Sequence, residues 1–175
     1  MAHLREGLLV EALDVRRHAR TPFECGSDSL DVYLKTQAAQ DMRRKANAVF
    51  VLVAVDEPQT VLGYFTLCAH ALAHGLVPEQ ARKHLPRYPA VSTTLLGRLA
   101  IARAHQGSGL GGILLVHALR LAHENTHVVG SSMVVVDAID ENAAAFYAAH
   151  GFLQLPDSRR LVLPMQTIAK LLALR

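Results

Sequence analysis

Residues 95–121 constrain this chain more than any other stretch. An apolar run, Leu95-Leu-Gly-Arg-Leu-Ala-Ile-Ala102, leads into a loop carrying Gly107, Gly109, Gly111 and Gly112. A second apolar run, Ile113-Leu-Leu-Val-His-Ala-Leu-Arg-Leu121, follows at once. Strand, glycine loop and helix in that order make an anion cradle. Glycines let backbone N–H groups come close to a ligand, and a helix start adds unsatisfied donors and a partial positive charge. Gly111 and Gly112 lie inside the helix start, where packing alone favours Ala by about 1 kcal/mol each. Close ligand approach accounts for them better.

The chain has 175 residues and is 51% hydrophobic, which suits one domain, residues 1–175, with a substantial core. No apolar stretch is long enough for a membrane span. Met1 to Val10 carries Arg5 and Glu6 and does not read as a signal peptide. Cys25 and Cys68 make neither a disulfide framework nor a zinc site, so a reducing cytoplasm is the simple expectation. The net charge of +3 and pI near 9.1 are compatible with a polyanionic partner without requiring one.

Periodicity and turn chemistry predict the elements. A strand is expected over Gly7–Asp14, then a turn at Cys25–Ser29 whose Ser or Asp caps a helix running to about Lys45. Val49–Asp56 and Val61–Ala71 read as a hairpin about the turn Asp56–Gln59. A short helix over Pro78–Leu85 precedes a long strand, Thr93–Ala102, and the helix Gly109–Asn125. Met133–Asp137 is short and continuously apolar, as a central strand would be. Asp140 caps a helix Glu141–Ala149 that stops at Gly151. Strands at Phe152–Leu155 and Leu161–Met165 and a helical tail from Gln166 complete a mixed α/β fold.

Gly107-Ser-Gly-Leu-Gly-Gly112 matches the dinucleotide pattern G-x-G-x-x-G. That pattern wants its first glycine directly after the strand, and here Arg103-Ala-His-Gln106 intervenes. A P-loop fails because no Gly-Lys-Ser/Thr follows. Gln106-Gly-Ser-Gly-Leu-Gly111 instead fits Q/R-x-x-G-x-G/A, and here the chain resembles the GNAT family of N-acetyltransferases. Asn142-Ala-Ala-Ala-Phe-Tyr-Ala-Ala-His-Gly-Phe152 resembles the same family's N-x-x-A-x-x-x-Y-x-x-x-G-F pattern, with tighter spacing after Asn142.

The resemblance implies a GNAT fold, a central mixed, mostly antiparallel sheet flanked by helices. It implies acetyl-coenzyme A as co-substrate and no metal. Backbone amides of Gln106, Gly107, Ser108, Gly109, Leu110, Gly111 and Gly112 would hold the pyrophosphate. The edge of Leu99, Ala100 and Ile101 would pair with the pantetheine amides as an added strand. Asn142, in the segment that also carries Phe146, would bond the pantetheine arm. Tyr147 would protonate the departing thiolate. Rate would come from positioning and from polarising the thioester carbonyl. No general base is assigned. His74 and Glu79 are candidates, and an acceptor amine of low pKa needs none.

The front of the chain is similar to one GNAT subgroup. The matching segments are Phe23–Leu34, Ala39–Lys45, Phe50–Asp56, Leu62–Leu67, Leu85–Pro89 and Leu96–Ala100. These are the toxins of bacterial type II toxin–antitoxin pairs, which acetylate the amino group of aminoacyl-tRNA and so block translation. The subgroup implies a ribbon-helix-helix antitoxin, promoter DNA bound through that antitoxin, and a homodimer. Arg43, Arg44 and Lys45 are the expected tRNA contacts, with further basic clusters at Arg16–His18 with Arg20, and at Arg82–His84 with Arg87. Acetylation of a small amine or a protein amine, and a non-catalytic acyl-coenzyme A or nucleic-acid-binding module, are the competing readings.

Overall fold

The structure, a computed structural model, describes residues 5–174; Met1–Leu4 and Arg175 of the expected domain lie outside the described residues. The elements follow the sequence closely. They are β1 (Leu8–Ala12), α1 (Asp28–Val32), α2 (Ala38–Arg43), β2 (Ala48–Ala54), β3 (Gly63–Ala73), α3 (Glu79–Arg82), β4 (Ala90–Ile101), α4 (Leu110–Asn125), β5 (Met133–Asp137), α5 (Glu141–Ala149), β6 (Leu153–Gln154), β7 (Arg160–Pro164) and α6 (Met165–Ala173). The strands form one seven-stranded sheet in the order β1-β2-β3-β4-β5-β7-β6. The β4–β5 pair is parallel, whereas β1–β2, β2–β3, β5–β7 and β6–β7 are antiparallel. Two compact units divide the chain, Met1–Cys68 with Arg98–Ala118, and Ala69–Gly97 with Leu119–Arg175.

In the first unit β1, β2 and β3 form a meander, with Leu9 opposite Val53 and Val51 opposite Tyr64. Leu30, Tyr33, Leu34 and Ala38 from the helical segment pack on Val49, Val51, Val53, Tyr64 and Ala100. Two local expectations need correction. The helix start at Ser27 has no side-chain cap. The carboxylate of the buried Asp31 instead reaches back to accept from Cys25 N–H at 2.9 Å. The expected single helix is also interrupted by a π-turn, Tyr33–Gln37, where Ala38 N–H donates to Tyr33 C=O. Such wide turns inside α-helices recur at functional sites.

In the second unit, β5 is buried along Met133–Val136 and joins Leu72, Val77, Val91, Leu155 and Val162 in a core. The tail helix α6 is seated through Met165 and Ile168 and leaves Leu171 and Leu174 exposed. At the end of β5 the Asp137 carboxylate accepts two hydrogen bonds from the Arg160 guanidinium, at 2.7 and 2.9 Å. Those bonds hold the Asp137 carboxyl below its ordinary value of 3.8. A depressed folded-state pKa adds stability that is complete above the unfolded-state value and is lost as pH falls through the folded-state value. Asp137→Asn is therefore expected to flatten the acid limb of a stability–pH curve below about pH 4. Thermal melts across that range check it, and an unaltered acid limb would refute the pairing's contribution.

Candidate active site

The glycine loop belongs to the first unit. Strand β4 ends at Ile101, and Ala102 N–H donates to Leu62 C=O at 2.8 Å. A 3-10 turn, Arg103–His105, comes next and separates the strand from the first glycine. Gly107 and Gly109 have φ of 78° and 84°, the left-handed region that side chains avoid. A Cβ at either would meet no atom within 4 Å. Backbone conformation, rather than crowding within the chain, therefore demands glycine at both.

The loop is held from behind. Gln106 Nε2 donates to Cys25 C=O at 2.6 Å and to Ile101 C=O at 2.9 Å. Ser108 Oγ donates to His105 C=O at 2.6 Å. Gln106 departs from the expected amide set, because its own N–H closes the 3-10 turn onto Arg103 C=O. Its part is to fix the loop. The first helical bond of α4 is Ile113 N–H to Gly109 C=O at 3.3 Å. The N–H groups of Leu110, Gly111 and Gly112 have no partner among the described residues, as a helix start requires. Three aligned donors, a helix dipole and a rigid glycine loop suit a diphosphate.

Arg5 was not singled out from the sequence as a site residue. Its Nη1 donates to Ser108 C=O at 3.1 Å, across 103 residues of chain. A carbonyl oxygen and the following N–H point in opposite directions, so a cation on Ser108 C=O fixes the direction of Gly109 N–H. Between two glycines of positive φ that peptide is otherwise free to flip.

The register pairs of β4 with β5 run from Thr93–Met133 to Leu96–Val136. Leu99, Ala100 and Ile101 lie beyond the last of these pairs, on the same strand.

Helix α5 lies in the second unit. Asp140 is its N-cap, accepting from Ala143 N–H at 2.8 Å. Tyr147 is buried, with Phe146 and Phe152 edge-on at 5.2 and 5.4 Å. Its hydroxyl has no hydrogen-bond partner among the described residues, and burial raises the phenol above its ordinary value of 10. The group therefore stays protonated and able to donate. Asn142 is exposed and sits five residues before Tyr147, about 140° away around the helix. It shares a face with Phe146 and not with Tyr147. Asp140, seven residues before Tyr147, holds the place of the pattern's Asn in correct register with Ala143, Tyr147, Gly151 and Phe152. The motif is thus intact in spacing and changed at its first residue, which helix capping occupies.

The basic clusters differ in how far local partners engage them. Arg43, Arg44 and Lys45 are exposed, with Lys45 at φ 60° turning the chain out of α2. Arg43 borders an open hollow of about 600 Å³ that is also lined by Leu13, Met42, Glu11 and Asp14. His18 is buried, accepting from Asp14 N–H through Nδ1 and donating to Glu11 through Nε2. Arg17 pairs with Glu11 at 3.0 Å, Arg20 reaches the carbonyls of Leu34 and Lys35, and Arg82 those of Val77 and Gly75. Local partners therefore absorb much of the charge outside residues 43–45. His74 opens a 3-10 turn and Glu79 opens α3, neither with a side-chain hydrogen bond among the described residues. His70 is better defined, with Nδ1 3.0 Å from Thr93 Oγ1 and a pKa lowered by burial and then by Arg160. Among the described residues no cluster of His, Cys, Asp and Glu could hold a metal ion.

Comparison with known proteins adds a family. The acetyltransferase (GNAT) domain family matches residues 47–154. A tRNA-acetylating toxin of Mycobacterium tuberculosis is 32% identical over 147 residues, covering 83% of this chain and 86% of that protein. A Tyr-to-Phe mutant of KacT superposes with a TM-score of 0.88 at 31% identity, over 95% of this chain and 99% of that one. AtaT complexed with acetyl-methionyl-tRNAfMet gives a TM-score of 0.86 at 30% identity, over 94% and 99%. An AtaT mutant bound to the C-terminus of the antitoxin AtaR and to acetyl-coenzyme A gives 0.80 at 28% identity, over 95% and 99%.

Proposed function

The chain belongs to the GNAT family of N-acetyltransferases, and from that premise we propose that it acetylates the amino group of aminoacyl-tRNA as a translation-blocking toxin. The observation that carries this reading is similarity over nearly the full chain to AtaT, solved with an acetylated aminoacyl-tRNA. Acetyl-coenzyme A is the co-substrate, in keeping with the AtaT complex and with the free amides at the start of α4.

In this reading the amides of Gly107–Gly112 hold the pyrophosphate and Leu99–Ile101 pair with the pantetheine. Tyr147 donates its proton to the sulfur as the thioester carbon is taken by the acceptor nitrogen. Asn142 and Phe146 flank the donor on the exposed face of α5. Gln106 and Ser108 act by keeping the loop in shape. Arg43, Arg44 and Lys45 meet tRNA phosphates. Residues 1–175 act as one domain in the cytoplasm and as a homodimer. A ribbon-helix-helix antitoxin neutralises the toxin and carries it to promoter DNA. The AtaR complex supports an antitoxin partner.

Labelled acetyl transfer to a panel of charged tRNAs tests the proposal. Transfer to a free polyamine or a peptide, with charged tRNA untouched, would overturn it. The donor site makes a separate prediction. Arg5→Ala is expected to raise KM for acetyl-coenzyme A about fivefold, equivalent to roughly 1 kcal/mol, with kcat little changed. Arg5→Lys should recover part of the loss. A KM equal to that of the parent would remove Arg5 from the donor site.

A further inference from the structure

Arg98 lies on β4 immediately before the Leu99–Ile101 edge. Its guanidinium carbon is 3.5 Å from the centroid of the Tyr33 ring, over a face that attracts cations. That ring is itself fixed. Tyr33 stacks on Tyr64 at 6.4 Å with 15° between the planes, and Tyr64 donates to Leu30 C=O at 2.7 Å. Tyr33 OH donates to Asp41 at 2.9 Å, and Asp41 also accepts from Gln37 and Asn47 at 3.1 and 3.0 Å. The π-turn starting at Tyr33 sets these groups in place.

This assembly steadies the guanidinium and uses none of its donors. Among the described residues Arg98 makes no ion pair and no hydrogen bond, although it is partly buried. Arg17, Arg103, Arg159 and Arg160 each have a carboxylate partner. Asp41 bears on Arg98 electrostatically, but its oxygens are turned to Tyr33, Gln37 and Asn47. A partly desolvated cation without an acid partner is costly unless an anion arrives. With the ring beneath it and none of its donors engaged among the described residues, a guanidinium fork fits two oxygens of a phosphate.

We propose that Arg98 is an acceptor-side phosphate-binding residue, holding a phosphodiester near the aminoacylated end of the tRNA. The contact anchors the acceptor on the same strand that offers its edge to the donor. The inference rests on the aminoacyl-tRNA reading above.

The test compares the parent with Arg98→Ala and Arg98→Lys. Uncharged tRNA binding is measured across a salt series, and acetyl transfer is measured to charged tRNA and to methionine methyl ester, an acceptor without phosphate. Arg98→Ala is expected to raise KM for charged tRNA at least tenfold. It should also shrink the slope of log affinity against log salt by about 0.7, one single-strand phosphate contact. Acetyl-coenzyme A affinity and transfer to the methyl ester should stay within about twofold of the parent. Arg98→Lys should keep the salt slope and lose part of the affinity, since a point charge lacks the fork. An unchanged slope in Arg98→Ala, or an equal loss with the methyl ester, would overturn the phosphate contact. If the slope falls as expected but no charged tRNA is acetylated, the aminoacyl-tRNA reading fails and the contact stands.

Discussion

The Tyr147→Phe protein is expected to bind acetyl-coenzyme A as the parent does and to transfer acetyl groups on the order of 10²- to 10⁴-fold more slowly. The expectation starts from what the substitution leaves alone. Phe keeps the ring that packs edge-on against Phe146 and Phe152. The lost hydroxyl has no partner among the described residues, so no buried donor or acceptor is orphaned and folding should be unaffected. What disappears, on the proposed mechanism, is a proton source for the leaving sulfur. Because burial raises the phenol above 10, the parent should show no fall in rate from Tyr147 ionisation at any pH up to that value. Single-turnover rates and equilibrium binding of acetyl-coenzyme A, taken together, are decisive. Parent-like turnover would end the assignment, and a loss confined to binding would move Tyr147 from chemistry to packing.

Gly63→Ala should be the most damaging change of a single methyl group in the first unit. The added carbon would stand 2.7 Å from Ile101 Cδ1, 2.8 Å from Ala100 C=O and 3.2 Å from Leu114 Cδ2. The two methyl groups can swing aside. The carbonyl belongs to the β4 backbone and yields only if the strand shifts. Overpacking of this kind costs about 1–3 kcal/mol, which in a chain of this size lowers Tm by roughly 3–10 °C. The displaced residues, Ala100 and Ile101, are also those assigned to the pantetheine. A rise in KM for acetyl-coenzyme A should therefore accompany the lower Tm. A melt and a donor titration on one preparation test both, and an unaltered Tm would mean that the strand gives way freely.

The parts of the site legible in the sequence were those written in consecutive residues. A glycine loop between a strand and a helix needs no distant partner, so Gly107 and Gly109 declared themselves through backbone conformation alone. Asp140 likewise announced the start of α5. The motif around Tyr147 was read by residue identity, and that drew attention to Asn142. Counting back along the helix face from Tyr147 leads to Asp140 instead. Outside Arg43–Lys45 the basic clusters are less open than they read, because sequence displays charges without their partners. Glu11 and Arg17 are six residues apart and meet only because the chain turns back after β1. Arg5 and Ser108 meet across 103 residues, a contact that no local pattern encodes. The stacked pair Arg98 and Tyr33 escaped notice for the same reason.

The wide turn at Tyr33–Gln37 makes the surroundings of the Tyr33 ring a matter of counting. A π-turn spends one more residue than an α-turn, so everything after it is rotated by about 100° from where an unbroken helix would put it. Asp41 meets Tyr33 OH in that rotated frame. Losing one residue between Tyr33 and Gln37 would make a more regular helix and would also swing Asp41 off the ring that carries Arg98. A surface loop absorbs a gain or loss of one residue with little consequence. Here the same event would reset which groups after the turn face the sheet, turning Ala38 and Met42 away from the core they share with Leu30 and Leu34. Length at this one point, rather than the identity of any side chain, decides which groups after the turn meet the Tyr33 ring.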